Sequence, residues 1–417
     1  MAADTNPANR TRSLWALCSV PFIMVLGNSM LIPVLPQIRE ALDLSLYQVG
    51  LLITAFSAPA SVSILFAGYL ADRYGRKVVM VPALVVYGVG GLLAGAAAML
   101  LGDAYPYIFG ARIIQGIGAG GTYQIAMVLA SDLYADAERS RALGLLESWN
   151  GVGKVISPIA GAGAAILSWY APFFVYGVLA LPIALAVHLL VSEKPTDDTP
   201  GGLGQYLGQL SEILRTKTVS FLVALLAGFI ILLLLFGVLS YAADEMEVDF
   251  HIGTLNRGLI IAIPVGVMAI TAYVSGTLLQ NQMEHLLRWA VAGGTGIFAA
   301  GLLSAILLTS PTASLIILAL LGLATGLTLP ALNTLITSSA PIETRGLTTA
   351  FYGTVRFIGV AFGPPAFGLL AARGRILLLA ATGIAAAITA VLCALFINPE
   401  QMVPPDILGE GSKSSSD

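Results

Sequence analysis

Twelve apolar runs of about twenty residues constrain this chain more than any other feature it has. They occupy roughly 14–36, 46–70, 78–101, 106–131, 141–167, 170–191, 219–242, 254–278, 288–309, 312–336, 344–371 and 374–397. Each can cross a hydrocarbon core of about 30 Å at about 1.5 Å rise per helical residue. In lipid the backbone must satisfy its own hydrogen bonds, so continuous apolar runs of this length specify helices. Only 10% of the residues are charged, against about 25% in soluble domains, and the mean hydropathy is +0.88. The predicted fold class is an all-α membrane protein of twelve transmembrane helices. The start, Met1 to Arg12, is polar and the run after it is long enough to span, so no cleavable signal peptide is expected.

The spacers are short except for 192–218, which holds Glu193, Lys194, Pro195, Asp197, Asp198 and Pro200. It divides the chain into an N-terminal six-helix bundle, 1–191, and a C-terminal one, 219–397. Within this central loop, Leu203–Leu214 has apolar residues at helical spacing and is expected to lie along the membrane surface. Residues 398–417 end in Gly-Ser-Lys-Ser-Ser-Ser-Asp and read as a disordered cytoplasmic tail. The halves resemble each other. Gly116 and Gly120 recur as Gly322 and Gly326, Arg139 as Arg345, and Pro158 as Pro364, all at one offset. A duplicated six-helix unit follows, with two pseudo-symmetric bundles and a substrate site expected between them.

Placement of Lys and Arg sets the expected orientation. With both termini inside, the outer side takes only Arg39, Arg257, Arg373 and Arg375, and the spans take Arg112, Lys154 and Arg356. The other thirteen of the twenty basic residues then lie on the cytoplasmic side, a decisive positive-inside bias. The acidic group Asp244, Glu245, Glu247 and Asp249 faces outward in this arrangement.

Charges at membrane depth are costly, so those retained there are candidate functional groups. Between Arg141 and Glu193 the only charged residues are Glu147 and Lys154. Glu147, Asn150 and Lys154 stand at i, i+3 and i+7 and share one helix face, which should point to a cavity rather than lipid. Glu147 and Lys154 are about 10 Å apart along the axis, so direct pairing is not required. Glu147 is the best candidate for a group that binds and releases a proton. The competing reading is a fixed structural ion pair.

The segment Gly68-Tyr-Leu-Ala-Asp72-Arg73-Tyr-Gly75-Arg76-Lys77 joins spans two and three. It resembles, at nearly every position, the loop motif of the major facilitator superfamily, and the resemblance extends over all twelve spans. It implies a conformational latch of Gly68, Asp72, Arg73, Gly75 and Arg76. In that latch Asp72 would sit against the start of span eleven, and Arg73 would pair with Asp132. The matching segment of the second half, Gly276 to Asn281, lacks the acid and the arginine.

Span four, Phe109-Gly-Ala-Arg112-Ile-Ile-Gln115-Gly116, resembles that of proton-coupled members, which implies a coupling role for Arg112. Snorkelling or a structural network are the alternatives. Span five resembles the antiporter motif through Gly151, Gly153, Pro158 and Gly161, with Ser157 in place of a glycine. That motif marks exporters. Span one resembles that of twelve-helix drug:proton antiporters but carries Asn28 where many have an acid.

The resemblance therefore implies a proton-coupled exporter of amphipathic small molecules, a multidrug efflux type. The alternative keeps the fold and carries an anionic lipid-linked or metabolite cargo. Three interior cations against one anion favour neutral, zwitterionic or anionic cargo. Expected cavity residues are Asn28, Tyr123, Gln124, Asn150, Lys154, Asn333, Tyr352 and Arg356. An enzyme is not indicated: His188, His251 and His285 are scattered, with no catalytic or metal spacing around them. No cofactor, metal or nucleic acid is expected. The expected partners are the small-molecule substrate, protons and the bilayer, with the chain a monomer in a bacterial plasma membrane.

Overall fold

Proline, glycine and serine punctuate an otherwise helical chain. The computed structural model describes residues 7–193, 204, 208, 219–279, 285–340 and 344–402. Its helices are α1 (Pro7–Ser29), α2 (Leu35–Ala41), α3 (Leu46–Tyr74), α4 (Arg76–Leu100), α5 (Tyr105–Gly120), α6 (Tyr123–Leu133), α7 (Asp136–Ala165) and α8 (Ala171–Leu190). They continue as α9 (Val219–Val248), α10 (Thr254–Leu279), α11 (His285–Ser304), α12 (Pro311–Ser338), α13 (Arg345–Ala371), α14 (Arg375–Phe396) and α15 (Pro399–Met402). No strand occurs among the described residues.

Local chemistry explains the boundaries. Ser45 and Gln48 exchange hydrogen bonds in a capping box that starts α3. Gly75 separates α3 from α4 at φ +102°, which a side chain would strain. Span one does not run straight to Pro36: α1 ends at Ser29, and a 3-10 turn at Ile32–Val34 leads into α2. Pro33 and Pro36 each lack an N–H, and both stand at the first turn of the element they open. Span four breaks at Gly121 and Thr122, where consecutive glycines weaken the helix. α9 continues past the expected end to Val248, so Asp244, Glu245 and Glu247 ride on the helix itself.

The tail expectation needs one correction. Pro399–Met402 is helical, and Met402 is buried in the cluster that holds Leu335, Ile336 and Ile397, because an apolar side chain next to a core is withdrawn from water. Residues 403–417 lie outside the described residues, as do most of the proposed surface helix Leu203–Leu214 and the loop residues Gln280 and Asn281.

Among the described residues, eleven segments are long and apolar enough to cross a membrane. α7 has 30 residues but is not one of them, because Glu147, Asn150, Lys154 and its glycines lower its hydropathy. The exposed surface is itself apolar: Val62, Leu185, Ile270 and Ile388 are each more than half exposed. That inverts the soluble pattern and suits a lipid solvent.

The chain forms two compact units whose boundaries differ from the sequence halves. One unit comprises Met1–Gly202, Phe236–Ile263 and Val360–Leu369; the other comprises Leu203–Leu235, Pro264–Gly359 and Leu370–Asp417. In the first, α4 packs on α5 and α8, α3 on α5, and α1 on α7 and α8. In the second, α11 packs on α12 and α14. The repeated glycines do the same work in each unit. Gly116 and Gly120 bring α5 onto the α3 backbone at Phe56 and Ile64. Gly322 and Gly326 bring α12 onto α10 at Pro264 and Met268. A Cβ at any of the four would collide with main chain, so small residues set these helix separations.

Candidate functional site

α7 carries the polar face. Asn150 is buried, Lys154 half-buried and Glu147 exposed, in register along one side. Val152 and Ile156 form the exposed apolar side. The Tyr123 hydroxyl, at the start of α6, donates a short hydrogen bond to a Glu147 carboxylate oxygen. Gln124 follows, half-buried. Trp149 fixes the rotation of α7 by edge contacts to Trp15 and Phe22 of α1, each at 5.8 Å between centroids. Such aromatic pairs contribute about 0.5–1.5 kcal/mol beyond their burial. The structure thus unites Glu147 with Tyr123 at an exposed position.

The antiporter-motif segment divides by role. Gly161 rests on the Met30 backbone just past the end of α1, where a Cβ would stand 2.7 Å from the Met30 carbonyl carbon. Gly153 rests on Phe22. Gly151 faces open space. Ser157 and Pro158 are buried, and the Pro158 carbonyl oxygen lies against Gly258 of α10.

Arg112 neither snorkels nor meets Glu147. It is fully buried. Nη1 donates to the Gly27 carbonyl and to Gln115 Oε1, each at 2.7 Å; Nε donates to the Leu52 carbonyl at 3.2 Å and Nη2 to Asn28 Oδ1 at 2.6 Å. Its guanidinium carbon lies 4.5 Å from the Phe56 ring centroid. Asn28, expected along the cavity, is therefore a buried amide. Its Oδ1 accepts from Arg112 while its Nδ2 donates to Ser57 Oγ at 2.6 Å. The physical reason is that a buried guanidinium needs acceptors within reach.

The latch hairpin also needs a correction. Asp132 at the end of α6 pairs with Arg76, not with Arg73. Arg73 donates to the Tyr69 hydroxyl at 2.8 Å and lies over the Tyr74 ring. Arg73 sits in the last turn of α3, so it meets residues one turn back. Arg76 stands beyond the Gly75 turn, where α4 passes α6. Asp72 lies 3.9 Å from Arg76, and Gly68 is half-buried. Sequence reasoning missed Glu193, whose two oxygens accept from the Arg76 and Lys77 amides. The available signal was an acid two residues beyond an apolar run.

In the second unit, Arg356 of α13 donates to Asn333 Oδ1 of α12 at 3.1 Å and lies 5.2 Å from the Tyr352 ring centroid. Tyr352 is buried beside Arg356, whose Nε has no hydrogen-bond partner among the described residues. No group of three metal-ligating side chains occurs among the described residues.

The family model of the Major Facilitator Superfamily matches residues 17–364, with a second match over 283–414. The bacillibactin exporter of Bacillus subtilis is 34% identical over 86% of this chain and 90% of its own length. Multidrug resistance protein 2 of the same organism is 25% identical over 85% of this chain and 87% of its own. Among solved structures, a bacterial homolog of the human lysosomal transporter Spinster superposes with a TM-score of 0.78 at 17% identity, over 93% of this chain and 97% of that one.

Proposed function

Because this chain belongs to the major facilitator superfamily, we propose that it exports amphipathic small molecules across the plasma membrane in exchange for protons, by alternating access. It is a transporter and not an enzyme, as are the relatives it matches. Export is supported by the bacillibactin exporter and by multidrug resistance protein 2. Proton coupling is supported by one observation: Glu147, the only acid between Arg141 and Glu193, is exposed and accepts from Tyr123. A carboxylate so placed can take a proton from one side and return it to the other. Each proton moving inward gains about 2.3 kcal/mol per 100 mV of potential. With both termini inside, the Asp72–Lys77 hairpin is cytoplasmic.

Anionic cargo is favoured over cationic cargo. Lys154 in one unit and Arg356 in the other are cations within spans, and Arg356 Nε has no hydrogen-bond partner among the described residues. An anionic group would satisfy it.

The test uses proteoliposomes with an inside-acid gradient, a pH dye inside, and a panel of cationic, zwitterionic and anionic amphiphiles that includes bacillibactin. Substrate-dependent loss of the gradient is expected, strongest with anions. Lys154→Gln and Arg356→Gln should each slow anion-driven proton movement by about tenfold, the effect of one lost charged contact. Unchanged rates in both variants would remove the anion assignment. Absence of proton movement with every compound would remove antiport.

A further inference from the structure

Arg39 and Arg257 enter the sequence argument only as outer topology markers, yet the structure builds them into a lock. They lie at the end of the first unit away from Gly75, where α2, α7, α9 and α10 converge. Arg257 is fully buried. Its Nε donates to the Pro33 carbonyl at 2.7 Å, Nη1 to the Ile252 carbonyl at 3.2 Å, and Nη2 to Thr254 Oγ1 at 3.2 Å. Nη1 also pairs with the Glu247 carboxylate. Gln37 of α2 donates to the same Thr254 hydroxyl at 2.5 Å. Arg39 of α2 pairs with Asp244 at 3.0 Å. The next residue, Gly258, lies so close to α7 that a Cβ would stand 2.8 Å from the Pro158 carbonyl oxygen. The segment from Pro33 to Arg39 is thus fastened to the α9–α10 hairpin by one buried guanidinium, one ion pair and one hydrogen bond.

A guanidinium withdrawn this far from water is stable only while its partners stay in place. Of the partners bonded to Arg257, only Glu247 is charged, and its side chain keeps 37% exposure. A proton arriving from that side can reach Glu247 and not Arg257. We propose that Arg257–Glu247 is the pin of a proton-released lock. With Glu247 charged, Pro33 and α2 are held on the α9–α10 hairpin. With Glu247 neutral, Arg257 moves toward water and the two segments part. The neighbouring charged and titratable groups are Asp244 and Glu245 on α9, Asp249 and His251 after it, and Arg39 from α2. The Tyr241 hydroxyl faces Glu245 at 3.5 Å. From α7 the contacts to Gly258 are Pro158 and Ala162, neither of which titrates. Asp244 pairs with Arg39 and also acts on Arg257 electrostatically, while Glu247 is the anion in direct contact with Arg257. The proposal rests on the alternating-access reading above, and places release of the side remote from the Asp72–Lys77 hairpin under control of the proton concentration there.

The test reads accessibility in the full chain, without substrate. Val34→Cys, in a background of Cys18→Ser and Cys393→Ser, is labelled from outside with a membrane-impermeant maleimide. Val34 is fully buried in the locked form. Rates are divided by those of Thr309→Cys, an exposed position, to remove the pH dependence of the thiol itself. Shifting from about pH 7.5 to about pH 5.5, toward the carboxylate range, should raise the normalised rate about tenfold. Glu247→Gln should label fast at both pH values. Glu247→Asp, which keeps the charge, should label slowly at the higher pH and so show that the site still folds. Asp249→Asn, at an exposed position outside the pairs, should keep the full acid response. Slow labelling of Glu247→Gln that acid still accelerates would overturn the proposal. Loss of substrate-driven proton movement with an intact acid response would instead remove antiport and leave the lock standing.

Discussion

Replacing Glu193 by alanine probes how the Asp72–Lys77 hairpin is held. Glu193 leaves the end of α8 and accepts from the Arg76 amide at 2.6 Å and the Lys77 amide at 2.8 Å. These are the first amides of α4, and helix geometry offers them no internal acceptor. The carboxylate also faces the positive end of the helix dipole, and Lys77 Nζ donates to the Val191 carbonyl at 2.6 Å beside it. Hydrogen bonds to a charged acceptor contribute about 1.5–3 kcal/mol each, and loss of a helix cap typically costs about 1 kcal/mol. Glu193 is half-buried, so water replaces part of what alanine removes. A net loss of about 2 kcal/mol follows, which is about a thirtyfold increase in local opening. Hydrogen exchange of the Arg76 and Lys77 amides in lipid nanodiscs reads this directly. Glu193→Ala should exchange about thirtyfold faster there and unchanged in α11, and Glu193→Gln should lie between. Exchange at Arg76 and Lys77 equal to that of the unaltered protein would refute the capping argument.

Two further substitutions follow from the packing. Gly161→Ala puts a methyl group into the Met30 backbone and should cost about 1–3 kcal/mol and most of the efflux activity. Gly151→Ala, facing open space, should leave efflux unchanged, and equal effects at the two positions would contradict the division of the motif. Arg112→Lys replaces a fork that serves four acceptors by one ammonium, leaving buried oxygens unpaired. It should lower stability to heat in detergent by about 2 kcal/mol, and an unchanged inactivation temperature would mean the network carries no structural weight.

Eleven spans were legible because apolar length alone decides them, α7 being less apolar than the rest, and the paired glycines were legible because one offset relates them. Their partners were not. Gly116 is close to Phe56 and Gly322 to Pro264 through three-dimensional packing that no local pattern encodes. Arg73 and Arg76 look interchangeable in the sequence, but the turn at Gly75 decides which one faces Asp132. Asn28 stood out as a missing acid, while its bond to Arg112 spans 84 residues and has no sequence signature. Arg257 read as a topology marker for the same reason: its bond to Pro33 spans 224 residues. The polar face of α7 was visible by spacing, but the Tyr123 contact depends on the break at Gly121 that turns α6 toward it.

The measurement closest to the central claim compares Glu147→Gln and Tyr123→Phe with the unaltered protein in proteoliposomes carrying an inside-acid gradient and an internal pH dye. Substrate-dependent proton movement should disappear in Glu147→Gln and be weakened but present in Tyr123→Phe, since the hydroxyl only orients the carboxylate. Proton movement in Glu147→Gln at the rate of the unaltered protein would contradict that claim and move the coupling site elsewhere in the chain.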